Sequence, residues 1–405
     1  MTTMTKLENL PGRHHETGSV ANALALAGVT APHTGEPVSE ALLLGLADGP
    51  AFGYFTFLYE GFPPQLVLLP RNTFDPMETL LDRLGSPREE YKTAKPETAA
   101  DNLRTALDSG PAIVWADVFS LPYNPHATSS QMWGMAPLVV SELTVGDVVI
   151  ADRSARPLHV PLADLIHAMG RVKSNRYRTI SIEPPNWERL KEGLRAGMRQ
   201  SVALFFDTPP KGRKENFGAA AFAHWADMLE NTRNKQSWAR FFEPGTPMAS
   251  ALAGSGWMSG VFDYVRAHAA GDGFERGVAA DLCDEAAGLL KLPGLKDAAA
   301  AFREAQSAWV ALAEAALPDS VPAFKRLKAL KLERRAIFTE QGSEGYAQLA
   351  ALDADISALK AEISADFPLD AAAANELRAE LRTHVQAVAA LETDAFTAIR
   401  AALAG

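Results

Sequence analysis

An α+β domain followed by an all-α domain is the fold class that this 405-residue sequence predicts, and three observations carry it. Up to about residue 183, short apolar runs of strand and helix length are punctuated by prolines and glycines. After Pro184-Pro185 alanine dominates, β-branched runs disappear and apolar residues recur at helical spacing. Thr144-Val145-Gly146 separates two apolar runs as a hairpin connection would, which predicts a mostly antiparallel sheet. X-Pro steps break both helix and ladder, so the Pro-Pro pair marks the boundary between domains at 1–183 and 184–405.

Within the first domain, Ser19 to Ala27 predicts a helix capped by Thr17 or Ser19 and stopped by Gly28. Ser39 to Leu46 predicts a second. Strands are expected at Gly53 to Leu58, Gln65 to Leu69, Ala112 to Ala116, Leu138 to Leu143 and Asp147 to Ala151, with helices at Met77 to Leu84 and Ala99 to Ser109. In the second domain Phe217 to Leu229, Gly277 to Leu290 and Lys296 to Leu317 are amphipathic and alanine-rich, which favours helix. The tail, about 319–403, carries a heptad-like stripe: Tyr346, Leu349, Leu352, Ile356, Leu359 and Ile363, then Leu377, Leu381, Val385 and Val388 beyond Phe367-Pro368. A helical pair joined there buries these faces within the domain, or against a second subunit as a homodimer.

Composition narrows the function. With 39 Lys and Arg against 49 Asp and Glu, the formal charge of −10 argues against a broad nucleic-acid-binding face. The single cysteine, Cys283, excludes a disulfide framework and multi-cysteine metal sites, and its helical surroundings make it a packed thiol. No signal-peptide-length or membrane-length apolar run is present, so a cytoplasmic protein that neither spans nor binds a membrane is expected.

Three polar clusters can hold chemistry. Gly12-Arg13-His14-His15-Glu16-Thr17-Gly18 sits just before the first helix, where the positive end of the dipole favours a neutral imidazole acting as base or ligand; an exposed histidine pair in a turn is the plain alternative. Trp115 to His126 follows a strand, and Asp117, Tyr123, Asn124 and His126 are candidate substrate-binding residues, or else a turn-capping aspartate among core aromatics. Val149 to Ser154 delivers Asp152 and Arg153 to a strand end, to orient a histidine and clamp a carboxylate or to form a structural ion pair. Neither a P-loop, a Rossmann glycine pattern, HExxH nor GxSxG occurs.

In this order, GRHHETGSVANALALAGV, SEALLLGLADGPAFGYF, VWADVFSLPYNP and VIADRSARPLHVPLADLIHAMG resemble the amino-terminal domain of the butirosin biosynthesis protein H family. NFGAAAFAHWADML and FERGVAADLCDEAAGLL resemble the helical domain that often follows it. The resemblance covers most of residues 10 to about 315 and implies a papain-like, cysteine-peptidase-like fold. It also implies an amino-acyl transfer from a carrier-protein thioester to an amine. The family's first motif usually reads His-Cys, its cysteine opening the first helix as nucleophile; here His15 follows His14. The family's histidine, normally opening a strand, is matched by Ala136, and its third, orienting position by Asp152.

With nucleophile and base positions both changed, the expected site keeps His14, His15, Glu16 and Asp152 as catalytic candidates. A histidine general base would serve direct attack of a substrate amine on an amino-acyl or peptidyl donor, carrier-bound or free, or an intramolecular condensation. No cofactor is implied. A second reading uses His14, His15 and Glu16, with His126, as ligands of a transition metal. A third is a catalytically silent partner that presents a substrate to another enzyme.

Overall fold

The computed structural model describes residues 9–124, 133–207, 209–256, 258–268 and 272–404. Along the chain run α1 (His15–Leu26), α2 (Glu40–Leu46), β1 (Pro50–Phe57), β2 (Gln65–Arg71), α3 (Pro76–Leu84), β3 (Arg88–Tyr91) and α4 (Pro96–Ser109). Then come β4 (Ala112–Asp117), β5 (Met135–Leu143), β6 (Asp147–Ala151), β7 (Leu158–Pro161), α5 (Leu162–Gly170) and β8 (Thr179–Ile182). Beyond β8 every regular element among the described residues is helical: α6 (Leu190–Phe206), α7 (Gly218–Glu230), α8 (Trp238–Phe241), α9 (Thr246–Ala253), α10 (Arg276–Leu290), α11 (Leu295–Ala316), α12 (Pro322–Gln341), α13 (Tyr346–Ala365) and α14 (Ala371–Ala404), with short 3₁₀ and π turns between. The α+β class with a helical carboxyl-terminal part is what the sequence predicts.

Two compact units are interleaved along this order. One comprises residues up to Leu43, Asp75–Gly193 and Arg334–Asp353; the other comprises Leu44–Phe74, Leu194–Glu333 and the residues from Ala354 on. A single division at 183/184 therefore needs correcting. The composition change there marks where strands stop. It does not mark where packing partners change.

In the first unit a six-stranded antiparallel sheet has the order β3-β8-β4-β5-β6-β7. Its centre is β-branched and apolar: Ile113 and Val114 of β4 pair with Val139 and Leu138 of β5, and all four are buried. The β5–β6 ladder breaks register between Val140 and Glu142, which bends β5 next to the strand end that carries Asp152. Helix α1 lies against β5, with the Ser19 hydroxyl donating to the Pro137 carbonyl at 3.0 Å. Strands β3, β7 and β8 escape the sequence reading because they are four residues each, and two of them sit in charged or Pro-flanked stretches.

In the second unit β1 and β2 form a separate two-stranded antiparallel sheet. Their apolar faces meet helices: Phe52 stacks on Phe222 at 3.7 Å between ring centroids, Tyr54 on Trp225 at 5.5 Å, and Ala51 packs with Leu204 and Phe217. An isolated hairpin is unstable in water, so this one needs that cover. Helix α14 runs along α11 and α7, and Leu377, Leu381, Val385 and Val388 are buried there. The predicted break at Phe367-Pro368 falls between α13 and α14. Arg276 and Glu392 are fully buried and paired through Nε–Oε1 at 2.6 Å and a second contact at 3.0 Å. Arg276 also donates to the Pro70 and Ala51 carbonyls, and the Trp309 indole donates to Glu392 at 2.6 Å. Every strong donor in that knot has an acceptor, which is the condition for burying charge.

Candidate functional site

Helix α1 begins earlier than its sequence signal. His14, with extended backbone, is the N-cap, and its Nδ1 accepts from the Glu16 amide at 3.3 Å, a role normally taken by Ser, Thr, Asp or Asn. The early start follows from the loop before it. A Cβ on Gly12 would lie 2.2 Å from the Gly18 carbonyl oxygen, so the chain doubles back on the first turn only because glycine stands there. The Gly12 amide donates to Asn22 Oδ1 at 2.8 Å. Glu40 at the start of α2 accepts from the Arg13 amide at 2.6 Å and from the Thr17 hydroxyl at 2.8 Å. Three donors and acceptors thus fix the position of His15.

His15 is the first helical residue, and its Nδ1 lies 3.6 Å from Asp152 Oδ1. Asp152 is buried at the end of β6, where it accepts from the Tyr123 hydroxyl at 2.9 Å and from Arg153 Nε and a second guanidinium nitrogen at 2.9 and 3.2 Å. Burial acts to raise its carboxyl pKa, but Arg153, His15 and the Tyr123 hydrogen bond together outweigh it and hold the group below the usual carboxylate range. The Asp152–Arg153–Ser154 backbone closes a three-residue turn, the Ser154 amide donating to the Asp152 carbonyl at 2.6 Å across Arg153 at φ +55°. A left-handed arginine in so tight a turn is strained, and it folds the guanidinium back onto its neighbour's carboxylate.

The back wall comes from a stretch that the sequence reading places only in a helical tail. Residues 334–353 belong to this unit. Phe338 lies 5.9 Å from the Tyr123 ring and under the Arg153 guanidinium at 5.2 Å, and Tyr346 lies 6.1 Å from Tyr123. Thr339 accepts from the Ala155 amide at 2.7 Å. Arg334 donates to Asn124 Oδ1 at 3.2 Å and pairs with Asp353. Burial pushes the Tyr346 phenol up to about 12, and burial with the nearby Asp152 charge raises Tyr123 well above the ordinary phenol value, so both stay protonated donors. The only signal for this wall in the sequence is Gly342-Ser343-Glu344-Gly345, which interrupts the helical period just before Tyr346.

The candidates thus separate. His15, Asp152, Tyr123 and Arg153 form one connected group, with Asn124 behind it. His14 is committed to its cap on one nitrogen, and its ring centroid is 6.4 Å from that of His15. Asp117 is fully buried and satisfied by the Phe119 and Gly134 amides, the Ser120 hydroxyl and Arg171 Nε at 3.2, 2.8, 2.7 and 3.1 Å. It caps a turn, the alternative the sequence left open. His126 lies outside the described residues. Among the described residues no three His, Cys, Asp or Glu side chains stand together as metal ligands. Cys283 is buried with its thiol pKa pushed well up by burial, so it stays unreactive. Among the described residues no helix is long and apolar enough to cross a membrane.

Ala136 is a buried residue of β5 paired with Ala116. The start of α1, strand β5 and the end of β6 lie in one unit. Comparison with curated proteins finds no match. Comparison with sequence families finds one: residues 14–153, from the capping histidine to the strained arginine, match the family described as Butirosin biosynthesis protein H, N-terminal. Both ends of that match fall on the site just described, and over residues 14–153 the chain is similar to that family.

Proposed function

We propose that this protein is a natural-product biosynthesis enzyme that transfers an amino-acyl or peptidyl group to an amine without a cysteine nucleophile, using His15 as general base. The observation that carries the reading is the buried, ionised Asp152 at the Nδ1 side of His15. A carboxylate there favours the tautomer with its proton on Nδ1, which leaves Nε2 as a proton acceptor. The substrate amine attacks the carbonyl carbon of a thioester donor. The C–N bond forms, His15 Nε2 takes the amine proton, the C–S bond breaks and the thiolate leaves with that proton. Tyr123 and Arg153 act on Asp152 and so position the base at one remove; the 3.6 Å spacing is loose, as is common before substrate closes a site.

The test supplies the full chain with amino-acyl N-acetylcysteamine thioesters and a primary amine, and follows amide formation by mass spectrometry. Turnover is expected to fall by about 100-fold or more in His15→Ala, the scale of a positioned base. Asp152→Asn should lower kcat with little change in KM. Full activity in His15→Ala would sink the mechanism. Absence of turnover in the native chain, with stable binding of the thioester, would favour a silent presenting partner.

A further inference from the structure

The second unit holds a serine–histidine pair on a clamped loop that the reading above does not use. Residues 254–256 leave helix α9, and residues 258–260 return so close that Gly260 lies against Gly254. A Cβ on Gly260 would lie 2.4 Å from the Gly254 nitrogen, and one on Gly254, at φ +74°, 2.2 Å from the Met258 carbonyl oxygen. Only glycine permits that neck. A π-turn follows at Asp263–Ala267, a helix irregularity that recurs at functional sites. It ends at His268, whose Nε2 is 3.4 Å from Ser259 Oγ, and the Tyr264 ring lies 5.6 Å from the imidazole.

The neck is held by buried charge. Asp263 accepts from the Gly260 amide at 3.0 Å and pairs with Lys331, which also donates to the Ala253 carbonyl at 2.7 Å. Burial would raise the Asp263 carboxyl, but Lys331 and Lys360 outweigh it and keep the group ionised. Both sides of the loop are therefore tied to one ion pair inside the unit. Burying two charges is costly unless they are paired and bonded. Here the pair clamps a loop that presents a partly exposed serine beside an imidazole, which is the support a nucleophile needs to hold its geometry.

We propose that Ser259 and His268 form a second, nucleophilic site that accepts the acyl group of an activated ester or thioester. His268 Nε2 takes the Ser259 hydroxyl proton as the Oγ–acyl bond forms, and returns it to the departing alkoxide or thiolate. Water then attacks the acyl-serine with His268 again as base, releasing the carboxylic acid and restoring Ser259.

The test treats the full chain with a fluorophosphonate probe and locates the adduct by peptide mass spectrometry. The adduct is expected on Ser259 and is lost in Ser259→Ala. Its rate should fall by about 100-fold in His268→Gln, the contribution of a positioned base, in protein whose thermal melt matches the native chain. His15→Ala should label at the native rate, so this proposal stands or falls separately from the amine-transfer reading. No adduct at Ser259 in folded protein, or one that forms equally fast in His268→Gln, overturns it. Should His268→Gln fail to fold, His268→Asn at native melt replaces it in the same comparison.

Discussion

Asp152 has four close neighbours that want it charged or bonded: the His15 imidazole, two guanidinium contacts from Arg153 and the Tyr123 hydroxyl. Its pKa in the folded protein is lowered, so its contribution to stability is fully present above the ordinary carboxylate value of 3.8 and is lost as pH falls through the folded value. The melting temperature of the native chain is therefore expected to drop on acidification below about pH 4. Asp152→Asn should be less stable by about 2 kcal/mol at neutral pH, from the lost charged hydrogen bonds, and should show a shallower acid drop. A pH series of thermal melts on the two proteins checks both. Equal slopes below pH 4 would remove Asp152 as the titrating group.

At the scale of elements, the site depends on where α1 starts. The helix opens at His15 because the Gly12 loop doubles back onto Gly18 and His14 supplies the cap. Gly12→Ala would put a methyl into the Gly18 carbonyl, and relief requires the loop to lift away. It is expected to cost about 2 kcal/mol in denaturant unfolding, in the range of other overpacked positions. Its larger effect should be on turnover, because the lift moves His15 from Asp152. A variant with native activity and a lowered melt would separate the fold of this loop from the chemistry. The amphipathic faces of α3 and α4 and the strands β4, β5 and β6 were legible, since apolar period and turn residues agreed there. The first-helix boundary was not, because a histidine cap and a glycine–glycine contact leave no propensity signal.

At the scale of the whole chain, segments far apart in sequence complete each unit. Arg276, Glu392, Trp309 and the carbonyls of Ala51 and Pro70 form one buried knot that spans more than 300 residues of sequence, from position 51 to 392. Glu392→Gln would leave the guanidinium buried with a neutral partner and is expected to destabilise by about 3–5 kcal/mol. Replacing both, as Arg276→Met with Glu392→Leu, should cost less than the single change, because no charge is then left buried. Equilibrium unfolding of the three proteins checks the order. A chain ending at Leu317 keeps the whole matched stretch, residues 14–153, yet it lacks α14 and residues 334–353. It is expected to lose cooperative unfolding, since the cover of α11 and α7 and the wall behind Tyr123 go together.

The sequence by itself determined the class of fold, the elements whose apolar period is strong and the three polar clusters, because these follow from local spacing and side-chain chemistry. It also placed His15 and Asp152 among the candidates through the order of its motifs. Only the tertiary structure decided which cluster members meet. Asp117 satisfies two donors of its own turn and two from Gly134 and Arg171, while Asp152 faces His15. Tertiary structure also decided that the hairpin Pro50–Arg71 packs with helices beyond residue 194, and that Phe338 and Tyr346 close the wall behind Asp152. Pairing of buried surfaces depends on shape and on long-range closure, and neither is written in a window of ten or twenty residues.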